Sequence, residues 1–218
     1  QFALPGSLLQ ASGRLCFLTR PNAPTGVAAT REETAALCEQ FPGVVVIDEA
    51  YVDFADDHCM DYAVRYDNVL VMRTFSKSFS LAGMRVGVAA GHPDLIAEMM
   101  KVKDSYNVNA LSQAAALAAL EDWDYMQACV ARIRASRGWL RQQLIKLGFQ
   151  VPESQANFLL TVRDSCPSAP ELFEALRARD IFVRYFPVRR LENALRVTVG
   201  DDAQCEALVA ALRELLRR

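Results

Sequence analysis

The sequence predicts an α/β fold, in which a mostly parallel sheet is covered by helices on both faces, followed by a smaller α+β domain. Three observations support this class. Through residues 15–91, continuous apolar runs alternate with polar, helix-like stretches, as is typical of strands buried on both faces. A mostly helical stretch then extends from Pro93 to Gly148. Beyond it, short strands separated by helices indicate a mostly antiparallel sheet packed beneath helices.

The first sheet is predicted to contain four strands. The apolar runs that predict them begin at Leu15, Val44, Val69 and Val86. Thr30 and Glu33 have the spacing of a capping box, so we expect a helix that joins the first two strands and ends before Phe41. Residues 49–68 are long enough for a second crossover, but only 13 residues separate Met72 from Val86. Because a right-handed helical crossover would be cramped there, we expect the strand at 86–90 to run antiparallel.

The remaining elements follow from apolar spacing and from helix start and stop signals. Helices are predicted over 93–103, 110–121 and 124–147, and Gly148 suits a left-handed residue that ends the last of them. We expect strands at 157–162, 181–184 and 195–199, a helix that opens at Ser168, and a final helix over 202–217. The predicted domain division places residues 1–115 in a large domain and residues 116–218 in a small C-terminal domain.

Composition and charge argue against several classes of protein. A net charge of −2 provides no field that would attract nucleic acid or anionic lipid. No apolar run approaches the roughly 18 residues of a membrane span, and residues 1–5 lack the charged-then-apolar order of a signal peptide. The six cysteines are dispersed and include no CxxC pair. We therefore expect a cytoplasmic protein with reduced cysteines, no metal site, and no nucleic-acid or membrane partner.

Polar side chains follow three successive strands, at the edge where ligands gather in open α/β sheets. They are the loop at 21–26 with Asn22, then Asp48 and Tyr51, then Thr74, Ser76 and Lys77. Each piece alone has an ordinary structural explanation, such as a helix cap, a turn or solvated surface. Their joint occurrence in this order predicts a functional site.

These segments resemble those of fold-type I pyridoxal-phosphate aminotransferases, and within them the histidinol-phosphate aminotransferase family. The resemblance is carried by residues 21–26, 48–51, 74–77, 81–85, 103–109 and 195–200. The lysine segment, with its arginine eight residues further on, is its most specific part. The resemblance implies the fold-type I architecture, with part of the large-domain sheet plus the small domain, and pyridoxal 5'-phosphate as cofactor.

The resemblance also assigns roles to the residues at the strand ends. It implies that Lys77 is the catalytic residue, which binds the cofactor aldehyde covalently and later moves a proton at the substrate carbon. Asp48 would pair with the pyridine nitrogen, and Tyr51 would hydrogen-bond the phenolic oxygen. The implied phosphate ligands are Ser76, Arg85 and, more weakly, Thr74.

The sequence departs from the family pattern in two places. Ala23 stands where the family commonly has an asparagine that reaches the phenolic oxygen, and Asn22 is the candidate to replace it. The family's N-terminal region supplies a glycine-containing phosphate loop, an aromatic residue stacked on the ring and a tyrosine that reaches the neighbouring subunit's cofactor. None of these precedes Gln1 in this sequence.

Two arginines of the predicted small domain match substrate residues of the family. Arg196 matches the arginine that binds the substrate carboxylate, and Arg184 matches a second arginine of the subfamily. Two guanidinium groups suit a site that accepts both glutamate and a phosphate monoester. The alternative is that both arginines form surface ion pairs.

The resulting interpretation is a homodimeric enzyme of histidine biosynthesis. It would transfer an amino group between the glutamate/2-oxoglutarate pair and the histidinol phosphate/imidazole-acetol phosphate pair. Alternatives on the same scaffold are an aromatic aminotransferase, a threonine-phosphate decarboxylase and an inactive remnant. Residues 44–49 also have the form of a magnesium-binding strand end of a nucleotide hydrolase, but the G-x-x-x-x-G-K-[ST] phosphate loop that such an enzyme needs is absent from this sequence.

Overall fold

The computed structural model describes residues 4–217, which form two compact units. The first unit combines residues 4–22 with Val27–Cys129, and the second combines Ala23–Gly26 with residues 130–217. Residues 1–3, which belong to the segment compared with a signal peptide, lie outside the described residues, as does residue 218. The predicted division at residue 115 refers to the domains of the family and stays a prediction.

A four-stranded mixed sheet forms the centre of the first unit, in the order β1-β2-β3-β4. Its strands are β1 (Leu15–Thr19), β2 (Val44–Asp48), β3 (Val69–Thr74) and β4 (Gly87–Gly91). The first three are parallel, and β4 runs antiparallel to β3, with Thr74 opposite Gly87. The predicted antiparallel fourth strand is therefore confirmed.

Among residues 4–217, five α-helices belong wholly or partly to the first unit. They are α1 (Arg31–Gln40), α2 (Tyr62–Arg65), α3 (Pro93–Val102), α4 (Ala110–Glu121) and α5 (Trp123–Lys146), which continues into the second unit. The predicted capping box opens α1, since the Thr30 hydroxyl accepts the Glu33 N–H at 3.1 Å and the Glu33 carboxylate accepts the Thr30 N–H at 2.8 Å. Across residues 4–217, no helix has both the length and the apolar character needed to cross a membrane.

The core of the first unit lies between α1, α2 and one face of the sheet. Val45, Ile47, Val69 and Val71 are fully buried there. Val46 and Leu70, whose side chains point to the opposite face, are buried as well. The two central strands are thus buried on both faces, as their continuous apolar runs predict.

The second unit contains a three-stranded antiparallel sheet in the order β5-β7-β6. Its strands are β5 (Phe158–Val162), β6 (Arg184–Tyr185) and β7 (Ala194–Thr198), and its helices beside α5 are α6 (Ala169–Arg177) and α7 (Asp202–Leu215). Leucines of all three helices pack on one face of this sheet, against Leu159, Leu195 and Val197. The predicted α+β architecture is confirmed.

The strand predicted at 181–184 lies further along the chain. Asp180 adopts a left-handed conformation with φ 58°, and the Ile181 N–H donates to the carbonyl of Leu176 at 3.0 Å. Ile181 therefore takes part in the C-terminal cap that follows α6 and does not pair in the sheet. Pairing with β7 begins only at Arg184, opposite Arg196.

Candidate active site

Asp48 ends β2 at the carboxyl edge of the parallel strands. It lies in register with Thr19 of β1 and Met72 of β3. Its Oδ1 accepts the N–H of Ala50 at 3.0 Å, a contact typical of a short polar side chain after a strand. Within residues 4–217, Oδ2 has no hydrogen-bond partner. The carboxylate therefore keeps an acceptor for a ligand at this edge.

Lys77 lies in the turn after β3, and its amine lies over the ring of Tyr51. The distance from Nζ to the ring centroid is 5.1 Å. Among the described residues, neither a carboxylate nor a hydrogen-bond acceptor pairs with this amine. A contact with a ring face orients a cation without using its N–H donors. The structure thus brings Lys77 and Tyr51 together and, within residues 4–217, leaves the N–H donors of the amine without an acceptor.

The turn that carries Lys77 is held on both sides. The hydroxyl of Ser78 donates a short hydrogen bond to the carboxylate of Asp53. On the other side, the Ser76 N–H donates to Thr74 Oγ1 at 3.1 Å. These contacts fix the backbone on each side of the lysine.

The predicted phosphate ligands differ in how many of their hydrogen-bond donors already have a partner within the described chain. Thr74 uses its hydroxyl locally, since it also donates to the carbonyl of Val86 at 3.4 Å. The Ser76 hydroxyl, in contrast, has no partner in the described chain. Arg85 has a left-handed backbone with φ 56° and donates from Nη1 to the carbonyl of Ala82 at 3.1 Å. Ser76 and Arg85 therefore retain donors for an anion.

Asn22 is tied to the same edge of the sheet. Its Nδ2 donates to Thr19 Oγ1 at 2.8 Å, and its N–H donates to the carbonyl of Val27 at 2.8 Å. Because Thr19 is in register with Asp48, these bonds hold Asn22 near the end of β2.

Glu49, which follows Asp48, has a structural role. Only 1% of Glu49 is exposed, its Oε2 accepts Arg73 Nε at 2.9 Å, and its Oε1 accepts the N–H of Cys59 in a short hydrogen bond. Both carboxylate oxygens are thus engaged by protein donors. This geometry argues against the magnesium-binding reading of residues 44–49, because a metal site needs carboxylate oxygens that can turn to the ion.

Arg184 and Arg196 lie in the second unit, directly opposite each other on β6 and β7. The guanidinium carbon of Arg196 is 5.0 Å from the ring centroid of Phe158 and 5.7 Å from that of Phe186. The guanidinium carbon of Arg184 is 5.4 Å from the Phe186 centroid. Within residues 4–217, neither arginine forms an ion pair.

Three supporting residues were not predicted from the sequence, namely Asp53, Phe158 and Phe186. No motif or spacing marks Asp53, whose partner Ser78 lies 25 residues away. A signal for Phe186 does exist, since it follows Arg184 by two residues, the spacing that would place both on one face of a strand continued past Tyr185. That signal becomes meaningful only once the strand is placed correctly.

The side chains with remaining bonding capacity suit a phosphorylated aldehyde. They are an amine, a carboxylate oxygen, a hydroxyl and a guanidinium, contributed by Lys77, Asp48, Ser76 and Arg85. A mixed sheet with such a set at one edge, followed by an α+β unit, defines a pyridoxal-phosphate transferase fold of type I.

The chain belongs to the family of class I and II aminotransferases, whose model matches residues 8–212. It is 44% identical over 210 residues to histidinol-phosphate aminotransferase 1 of Trichormus variabilis, which covers 96% of this chain and 60% of that protein. It is 45% identical over 205 residues to histidinol-phosphate aminotransferase of a Geobacter species, covering 93% of this chain and 58% of that protein. The chain thus spans about 60% of the length of these curated relatives.

A solved structure shows the same fold. Histidinol-phosphate aminotransferase from Sinorhizobium meliloti, in complex with pyridoxal-5'-phosphate, matches with a TM-score of 0.82 and 28% sequence identity. The match covers 93% of this chain and 57% of that structure's chain. The predicted fold class and family are confirmed.

Proposed function

We propose that this chain carries the catalytic lysine and the substrate arginines of a pyridoxal-phosphate-dependent histidinol-phosphate aminotransferase. The observation that carries the proposal is the placement of Lys77, whose amine lies 5.1 Å from the Tyr51 ring centroid with no acidic partner in residues 4–217. The names of the relatives, and the bound cofactor of the Sinorhizobium meliloti structure, support the same activity and cofactor.

The residues of the first unit would hold the cofactor by complementary chemistry. Ser76 and Arg85 would donate to its phosphate, with Thr74 as a weaker contributor. Tyr51 would donate to the phenolic oxygen, and Asn22 would approach the same oxygen in place of the asparagine expected at Ala23. When bound, pyridoxal phosphate supplies an aldehyde carbon and a cationic ring that accepts electron density from the substrate.

Two of these residues would control protons. The Lys77 amine would attach the cofactor and, once displaced by the substrate amine, would remove a proton at the substrate Cα and return it on the cofactor side. The Asp48 carboxylate would hold a proton on the ring nitrogen through its Oδ2, the oxygen that Ala50 does not engage. A carboxylate stabilises that cationic nitrogen because opposite charges at short distance favour the charged form.

Arg196 and Arg184 would bind the anionic groups of the substrates. A guanidinium group presents paired N–H donors that match a carboxylate or a phosphate. Glutamate and histidinol phosphate would therefore be the two amino donors, and 2-oxoglutarate and imidazole-acetol phosphate the acceptors.

We also propose that the whole protein is a cytoplasmic homodimer, with residues 1–115 in its large domain and residues 116–218 in its small one. Assembly and location are typical of the family. Several large apolar side chains of α3 and α4 are exposed in the single chain, namely Met100, Val102, Leu111 and Leu117. Sedimentation of the whole protein would test the dimer, and a monomer at micromolar concentration would contradict it.

Single-turnover exchange with a panel of amino donors tests the proposed activity. The chain, and a version extended to the length of its relatives, are loaded with cofactor and mixed separately with glutamate, histidinol phosphate, tyrosine and threonine phosphate. We expect the extended version to exchange fastest with glutamate and histidinol phosphate, and Lys101→Ala, a variant of an exposed lysine, to behave like wild type. Release of carbon dioxide from threonine phosphate, or no exchange with either expected donor, would contradict the proposal.

A further inference from the structure

Arg184 and Arg196 form a pair of like charges in the second unit. The two residues are direct cross-strand partners on β6 and β7, and no carboxylate in residues 4–217 neutralises either of them. Like charges directly opposite each other destabilise an antiparallel pair. Arg196 is also half-buried, and its Nε is buried without a hydrogen-bond partner in the described chain. Something other than an ion pair must therefore hold these side chains in place.

Aromatic rings supply that support. Phe186 lies one residue beyond the end of β6 and two residues after Arg184, and its ring contacts the guanidinium groups of both arginines. The Phe186 centroid is 5.4 Å from the guanidinium carbon of Arg184 and 5.7 Å from that of Arg196. Phe158 contacts Arg196 from β5, at 5.0 Å. One ring thus contacts both arginines.

Phe186 lies outside the core cluster that packs between the helices and the sheet of this unit. Its neighbour Tyr185 packs against the core cluster, whereas Phe186 is not among the side chains of that cluster. The Phe186 ring instead contacts the two arginines.

We infer that Phe186 is a positioning residue, which holds the guanidinium groups of Arg184 and Arg196 ready for the anionic groups of the substrate. A ring face attracts a guanidinium group but uses none of its N–H donors. A carboxylate in the same place would occupy those donors and cancel the charge. The inference rests on the proposed function, in which the two arginines bind a carboxylate or a phosphate monoester.

Calorimetric titration with glutarate tests this inference. Glutarate has the two carboxylates of glutamate but no amino group, so it reports anion binding apart from turnover. The cofactor-loaded protein is compared with Phe186→Leu, Phe186→Met, Phe186→Tyr, Arg196→Ala and a control, Phe182→Leu, whose ring is 77% exposed. Melting temperature and cofactor affinity are measured for every variant, and Phe186→Met serves if Phe186→Leu does not fold.

We expect loss of the ring to weaken glutarate binding by about tenfold, which lies within the range of cation–π contacts. Phe186→Tyr keeps a ring and should bind within about twofold of wild type, while Phe182→Leu should match wild type. Cofactor affinity should stay unchanged in all Phe186 variants. This pattern separates positioning from a merely structural role.

Two results would overturn the inference in different ways. If Arg196→Ala weakens glutarate binding but the ring-free variants do not, or if Phe186→Tyr is weakened as much as they are, Phe186 is not a positioning residue and the proposed function stands. If wild type and Arg196→Ala bind glutarate equally, or wild type does not bind it, the substrate-site assignment fails together with the inference.

Discussion

Lys77 and Asp48 divide the proposed chemistry between an amine and a carboxylate that lie on neighbouring strand ends. The amine is held by a ring face, and the carboxylate by a single backbone N–H from Ala50. Both contacts leave bonding capacity for a ligand. At the scale of single residues, the site therefore depends on groups that are positioned without being neutralised.

Asp48→Asn is expected to keep the side chain at residue 48 in place while removing its negative charge. Asparagine can still accept the Ala50 N–H, so folding should be retained, but it cannot hold a cationic ring nitrogen. We predict that single-turnover exchange with glutamate falls by about 100-fold or more, as when a transition-state charge loses its partner. Asp67→Asn, at an exposed aspartate, is the control. Unchanged exchange in Asp48→Asn would show that this carboxylate does not face the ring.

Sequence patterns could identify the main site residues but not their supports. Lys77, Asp48 and Tyr51 follow buried strands, where polar side chains are noticeable against apolar runs. Several contacts that hold the neighbouring residues are remote in sequence, since Ser78 contacts Asp53 across 25 residues and Arg73 contacts Glu49 across 24. Such contacts depend on three-dimensional packing, which local spacing does not encode.

At the scale of elements, most boundaries follow from local signals. The capping box at Thr30 and the short connection before β4 predicted their elements correctly, because each depends on residues close in sequence. The predicted position of β6 was wrong, because Ile181, which begins the apolar run, takes part in the C-terminal cap of α6. A competition between a helix end and a strand cannot be decided from one apolar run.

Arg73→Ala is expected to destabilise the contact between β3 and Glu49, the residue that follows β2. Arg73 sits on β3, and its loss would leave the fully buried Glu49 carboxylate without its charged partner. We predict a loss of about 3 kcal/mol in the free energy of unfolding, the cost of an unpaired buried charge. Urea denaturation measures this loss. Arg65→Ala breaks an exposed pair with Glu39 and should cost less than about 1 kcal/mol; equal effects in both variants would contradict the prediction.

At the scale of the whole molecule, the chain forms two units with separate cores. The sequence predicted a change from a mostly parallel sheet to an α+β arrangement, because strand patterning differs between the two parts. It did not predict that residues 23–26 group with the second unit, as the Gln155 N–H donates to the carbonyl of Gly26 at 2.7 Å. That assignment depends on one loop contacting a distant segment.

We expect the free energy of unfolding to fall at alkaline pH, because the core of the first unit buries neutral thiols. Burial raises the pKa of Cys38 to about 12 and that of Cys59 to about 11. An unfolded thiol has a pKa of about 8.5. The stability contributed by these neutral thiols is therefore fully present below that pH and is lost as pH rises towards the folded values, because only the unfolded chain ionises.

Urea unfolding between pH 8 and pH 11 tests the direction in which the free energy of unfolding changes with pH. We expect the free energy of unfolding to fall with pH, and to fall less steeply in Cys38→Ala, although that variant starts from lower stability. Cys166→Ala removes an exposed thiol and should keep the wild-type slope. A slope in Cys38→Ala as steep as that of wild type would show that Cys38 does not contribute.

Borohydride reduction followed by peptide mass spectrometry tests the central claim most directly. The chain is loaded with pyridoxal phosphate, reduced, digested and searched for the cofactor mass on each lysine, with Lys77→Ala and Lys101→Ala treated in parallel. We predict that the cofactor is joined to Lys77 in wild type and in Lys101→Ala, and to no lysine in Lys77→Ala. Stoichiometric attachment in Lys77→Ala, or attachment at another lysine in wild type, would contradict the account.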